Sequence, residues 1–151
     1  MKQFKLILNR HLEFIILLVV LVAILSSCAG KDGEPDGPSD QDLAFEKLSG
    51  AWTLSNGGSI SLDGSNISAN YTGFTLSFTN GSFTTTNAGD LFPASGTWEW
   101  VGETTNQIRT GRGKVVTIST LTTSSFQFSF TKNASNAAAG IDGNYVIALN
   151  K

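Results

Sequence analysis

This chain of 151 residues holds one cysteine, one histidine and three prolines, and only 15% of its residues carry charge. Each scarcity excludes something. One thiol cannot make a disulfide within the chain, so the fold must stand on its apolar core and backbone pairing. The lone histidine is His11, ahead of the apolar run near the start of the chain. Downstream of it there is no imidazole, which removes Ser-His-Asp and Cys-His catalysis. Zinc sites, built mostly from His and Cys, lose their ligands for the same reason. The longest apolar run, residues 14–25, has 12 members, short of the about 20 that a membrane-spanning helix needs.

What is present begins with Lys2, Lys5 and Arg10 ahead of that run and Ser26, Ser27 and Cys28 after it. A charged start, a short apolar stretch and small residues at a cleavage point describe a secretory signal. An uncleaved signal anchor with an incidental cysteine is the other reading. The string Leu25-Ser26-Ser27-Cys28 resembles the lipobox of bacterial lipoproteins. That resemblance implies a signal peptide over residues 1–27 and acyl chains, palmitate among them, on Cys28 as the first mature residue. It also implies a membrane anchor through that lipid, and a place at the cell outer membrane, periplasmic or surface-exposed. Beyond residue 27, seven Lys and Arg face eleven Asp and Glu, a net charge of −4. Nucleic acid and anionic lipid surfaces demand clustered cations, so neither is expected as a partner.

Residues 28–41 continue as Gly, Pro, Asp and Ser with almost nothing apolar. Such a segment cannot bury enough surface to offset its ordering entropy and is expected to be a flexible tether. The domain is then residues 42–151. Ser39-Asp40-Gln41-Asp42 offers capping groups and early negative charge ahead of Leu43, Ala44, Phe45 and Leu48, predicting one short helix over 42–48 that stops at Gly50. From Ala51 the apolar period becomes two. Phe126, Phe128 and Phe130 share one face of a strand, with Gln127 and Ser129 on the other. Phe74, Leu76 and Phe78 repeat the device, as do Trp98 and Trp100 around Glu99, and Tyr145, Ile147 and Leu149. Further strands are expected at 51–55, 59–62, 82–87, 107–110 and 114–121. Turn residues separate them, and Asn80-Gly81 between Thr79 and Ser82 suits a two-residue type I′ hairpin.

Eight or so short strands at this spacing predict an all-β domain. Short connections favour an antiparallel up-and-down barrel of about eight strands; a β-sandwich also satisfies the pattern. The opening Gly50-Ala51-Trp52, together with residues 96–100 and 143–149, is similar to the lipocalin-like domains of bacterial lipoproteins. The resemblance implies that Trp52, with Gly50, plugs one end of the barrel, and that an Arg stacks on it, Arg109 or Arg112. The Thr-Asp-Tyr turn of that family is not found in the sequence.

Phe74, Phe78, Trp98, Trp100, Phe126 and Phe128 are the candidate lining of an apolar ligand cavity, or else the filling of the barrel itself. Asp63, Asp90 and Asp142 stand in turns and Glu99 and Glu103 beside the Trp strand; no metal-ligand run joins them. The sequence therefore points to a non-catalytic module without cofactor or metal. Its expected partners are the membrane through Cys28, and a small apolar ligand or an envelope protein.

Overall fold

The computed structural model describes residues 37–133 and 141–151. The expected leader, Cys28, the part of the expected tether up to residue 36, and residues 134–140 lie outside the described residues.

Helix α1 runs Asp40–Leu48, two residues earlier than its apolar pattern alone suggested. The reason is a capping box. Asp42 N donates to Ser39 Oγ at 3.1 Å, and Ser39 N donates back to the Asp42 carboxylate at 3.0 Å. Those hydrogen bonds from Ser39 hold the Asp42 carboxyl below its ordinary range. Ala44 and Leu48 are buried, so one side of α1 closes over the domain.

The strands are β1 (Gly50–Thr53), β2 (Ser59–Leu62), β3 (Ser65–Asn66), β4 (Thr75–Thr79), β5 (Ser82–Thr86), β6 (Ser95–Trp100), β7 (Gln107–Thr110), β8 (Val115–Leu121), β9 (Ser125–Lys132) and β10 (Gly143–Asn150). Every pairing is antiparallel, and the sheet runs β1-β4-β5-β6-β7-β8-β9-β10 before β10 meets β1 again through Thr53 and Asn150. The protein is a closed eight-stranded up-and-down barrel. Closure removes the free edges that an open sheet would expose.

The closing device is a broken first strand. β1 pairs with β4, while β2 continues along β10 with Ser59 opposite Ala148. Thr53 is opposite Asn150, so residues 54–58 are extra chain that loops out against Leu149. Gly58 lies so close to this crossing that a Cβ there would sit 2.7 Å from Leu54 Cα and 2.9 Å from the Ala148 carbonyl oxygen. A smaller irregularity at Ser119 in β8 shifts the register against β9 by one residue.

The hairpin chemistry differs from expectation at one turn. At Asn80-Gly81 only Gly81 takes a positive φ, +68°, so this turn is not type I′. Asp63-Gly64, joining β2 to β3, has both residues positive at +48° and +83°, as type I′ requires. Asp63 is held there because its carboxylate accepts the Asn144 N–H at 2.9 Å. That long-range contact decides which turn adopts the rarer geometry.

Inward residues alternate as the period-two pattern predicts. Phe126, Phe128 and Phe130 are 1%, 1% and 5% exposed, and Tyr145, Ile147 and Leu149 are likewise buried. Outside, β4, β5 and β6 carry hydroxyls in register: Thr75 faces Thr86, Ser77 faces Thr84, Thr84 faces Ser95, and Ser82 lies between Thr79 and Thr97.

Candidate functional site

The two ends of the barrel are closed by different chemistry. At the α1 end Trp52 is fully buried, its indole N–H donating to the Leu48 carbonyl at 2.8 Å and its ring 5.3 Å from Phe126. The cation on this ring is Lys151, with Nζ 4.2 Å from the centroid, and not Arg109 or Arg112. Lys151 Nζ also donates to the carbonyls of Lys47 and Ser49 at 2.7 and 2.6 Å, satisfying the C-terminal end of α1. Arg109 instead meets Glu99 at 3.5 Å on the outer surface, where both stay largely exposed. Such a pair contributes little.

The six candidate lining residues all join one core, but they do not border one cavity. Trp98 belongs to the α1 end: Phe45 of the helix lies 5.9 Å from its ring, and its indole N–H is shared between the Thr79 and Ser82 carbonyls at 2.9 and 3.1 Å. Trp100 packs edge-on against Trp98 at 5.2 Å. Phe78 meets Trp98 and Phe126 edge-to-face at 5.7 and 5.9 Å, and Phe126 lies 4.7 Å from Phe128. Phe74 is buried beside Tyr71, whose carbonyl accepts its N–H at 2.9 Å.

The interior void bordered by Phe78, Phe126 and Phe128, with Leu76, Phe83, Phe92, Ile108, Thr110 and Val116, is about 10 Å³. That is about the space of one water molecule, in walls that offer it almost no polar partner. As it stands the barrel is filled with its own side chains.

The far end is stoppered by the loop between β5 and β6. Ala88, Leu91 and Phe92 turn inward and are 4%, 1% and 7% exposed. Phe92 meets Phe83, Phe128 and Phe130 at 6.2, 6.1 and 5.4 Å. Polar contacts fasten the loop from above. Thr85 Oγ1 donates to the Pro93 carbonyl at 2.9 Å, and Asn87 Nδ2 to the Thr72 carbonyl at 3.1 Å. Lys132 pairs with the Asp90 carboxylate, the Tyr71 hydroxyl donates to the same carboxylate at 3.2 Å, and Lys114 donates to the Leu91 carbonyl. Lys114 Nζ also lies 4.5 and 4.0 Å from the Phe92 and Phe130 ring centroids.

Sequence reasoning took Asp90 as a turn residue and passed over Lys114, Lys132 and Phe92. The signal available was Leu91-Phe92, an apolar pair inside a stretch of turn formers. The sequence matches no family model, and no curated protein or solved structure matches it.

The rim groups are perturbed by burial. Burial, with the nearby Lys132 charge, brings the Lys114 ammonium down to about 8, Asp90 opposing in part. Burial and the Asp90 charge, with a smaller contribution from Tyr145, push the Tyr71 hydroxyl up to about 12. For Asp90 burial acts upward, but the Lys132 hydrogen bond and charge and the Tyr71 hydroxyl outweigh it and hold the carboxyl low. The signs give a pH dependence. Between about 8 and the ordinary lysine value of 10.5, the unfolded chain holds a proton that folded Lys114 has lost, so stability rises with pH. Between 10 and about 12 the unfolded tyrosine has ionised while folded Tyr71 has not, so stability falls. Denaturant titrations across this range are expected to show the rise and then the fall. Because burial also lowers Lys151 and, with Asp90, raises Tyr145, Lys114→Met reduces the rise and Tyr71→Phe the fall without abolishing either; an unchanged profile in both variants refutes the assignment.

Proposed function

We propose that this protein is a lipid-anchored envelope lipoprotein of the outer membrane, whose barrel is a non-catalytic binding module related to the lipocalin-like domains it resembles. The anchor reading is carried by the string Leu25-Ser26-Ser27-Cys28 after a short apolar run. A single acyl chain holds a protein only marginally, whereas two or more make attachment stable, so lipid on Cys28 fits a multiply acylated mature end.

The module reading is supported by how the acids are used. Asp42 caps α1, Asp63 holds a turn, Asp90 latches the rim, and Glu99 meets Arg109 outside. None of these contacts brings two carboxylates together for general acid and base work. A filled interior directs binding to the outer faces and the rim, and the in-register hydroxyls of β4–β6 present an uncharged polar surface to an envelope partner. A small apolar ligand would have to enter by the stoppered end.

Mass spectrometry of the mature N-terminus tests the anchor. The expected result is a chain beginning at Cys28 with acyl mass, and a Cys28→Ser variant that no longer fractionates with membranes. An intact leader or an unmodified thiol overturns the proposal.

A further inference from the structure

Two steps in the chain place glycine directly after asparagine, Asn56-Gly57 and Asn80-Gly81. A glycine nitrogen can attack the preceding asparagine side chain with no Cβ in its way. The fold treats the two steps differently.

Residues 55–58 form a turn of their own within the insertion that interrupts the first strand. Gly58 N–H donates to the Ser55 carbonyl at 3.3 Å, and φ is +57° at Asn56 and +88° at Gly57, as in a type I′ turn. Asn56 and Gly57 are exposed, and a Cβ on Gly57 would meet nothing within 4 Å. Closing a five-membered imide ring needs a ψ of about −120° at the asparagine; with a φ of about +60°, that is the first central position of a type II′ turn. Asn56 already has the φ. Rotating the one peptide between Asn56 and Gly57 supplies the ψ. The Ser55 carbonyl keeps its bonds from Gly58 N–H and from Asn150 Nδ2, the latter at 3.0 Å. Only the Asn56 carbonyl gives up its bond, from the same Asn150 Nδ2 at 3.2 Å.

At Asn80 φ is not positive, so the peptide before it must turn as well, and both flanks are pinned. The Trp98 indole N–H is shared between the Thr79 and Ser82 carbonyls at 2.9 and 3.1 Å. The Trp98 backbone N–H donates to the Gly81 carbonyl at 3.1 Å.

We propose that Asn56 is a site of spontaneous deamidation, with water as the co-reactant, and that the product loosens the closure of the barrel. The Gly57 nitrogen gives its proton to solvent and bonds to Asn56 Cγ, while the side-chain amide leaves as ammonia. Water then opens the imide. Breaking the new bond to Cγ leaves aspartate; breaking the bond to the main-chain carbonyl leaves isoaspartate, which adds a methylene to the backbone. The insertion has little room for it. Its ends are fixed by Thr53 opposite Asn150 and Ser59 opposite Ala148, and Gly58 is wedged against Leu54 and the Ala148 carbonyl.

The test ages the folded full chain in mildly alkaline buffer with nonionic detergent and follows Asn56 and Asn80 by peptide mass spectrometry. Asn56 is expected to convert about tenfold faster than Asn80, the size of one additional hydrogen bond in the barrier. In concentrated urea the two should convert at similar rates, because each is followed by glycine. Equal rates in the folded chain, or faster conversion of Asn80, overturn the site. So does a folded ratio no larger than the ratio in urea. The aged chain is expected to unfold at lower urea than the fresh one. An Asn56→Gln chain aged alongside should keep its midpoint, since the longer side chain cannot close the five-membered ring. An equal loss in both chains, or none in either, overturns the link to closure.

Discussion

Trp52→Ala is expected to lower stability by about 3–5 kcal/mol, the range for deleting a fully buried large aromatic. Three losses act together. The ring leaves a cavity against Phe126, the Leu48 carbonyl loses its buried indole donor, and Lys151 loses the face on which it rests. Because Lys151 also holds the carbonyls at the end of α1, the helix should loosen with the barrel end. For a domain of this size the midpoint of thermal unfolding should fall on the order of 10–20 °C. Trp52→Phe separates the contributions: it keeps most of the apolar contact and loses the hydrogen bond, and should cost about 1–3 kcal/mol. Urea unfolding followed by circular dichroism measures both. A loss below about 1 kcal/mol for the alanine variant would show that Trp52 does not plug the barrel.

Phe128→Ala carries a similar cost, about 3–5 kcal/mol, with a consequence that concerns function. Phe128 borders the interior void and touches Phe92, Phe126 and Phe130. Removing its ring enlarges a dry, apolar space that the native barrel leaves at about 10 Å³. Apolar cavities of this origin stay empty of water and take up benzene or xenon. The variant is therefore expected to gain stability on addition of benzene while the unaltered protein does not, since a ligand that binds only the folded state stabilises it. Thermal melts with and without benzene decide the point. Equal stabilisation of the unaltered protein would mean that its interior already opens to apolar guests, and the filled-barrel account would fail.

The two substitutions bracket what the barrel does. Its α1 end is fixed by an indole hydrogen bond, a cation and a helix cap. Its far end is a loop fastened by side chains. The second end is the easier to open. There the contacts to be broken are a few hydrogen bonds and one ion pair, not a strand ladder.

Much of this is legible in the sequence. Alternation at Phe126, Phe128 and Phe130, at Leu76 and Phe78, and at Tyr145, Ile147 and Leu149 assigned strands and their inward faces, because side chains on a strand can only alternate. Residues 50–52 placed the start of β1 to within one residue, and the capping groups at 39–42 placed the start of α1 to within two. The hairpin chemistry was half legible. Asn-Gly and Asp-Gly both marked turns, but which became type I′ depended on Asn144, far along the chain.

By itself the sequence determined the class of the fold, the residues that face inward, and the absence of any histidine after His11 and of a disulfide within the chain. These follow from composition and from period, which are local properties of the chain. Only the tertiary structure decided that the sheet closes, with Thr53 reaching Asn150 after an insertion at residues 54–58. It alone placed Lys151 on Trp52, and Lys114 between Phe92 and Phe130. Such meetings depend on register summed around a whole barrel. No short stretch of sequence encodes where that sum brings two distant residues together.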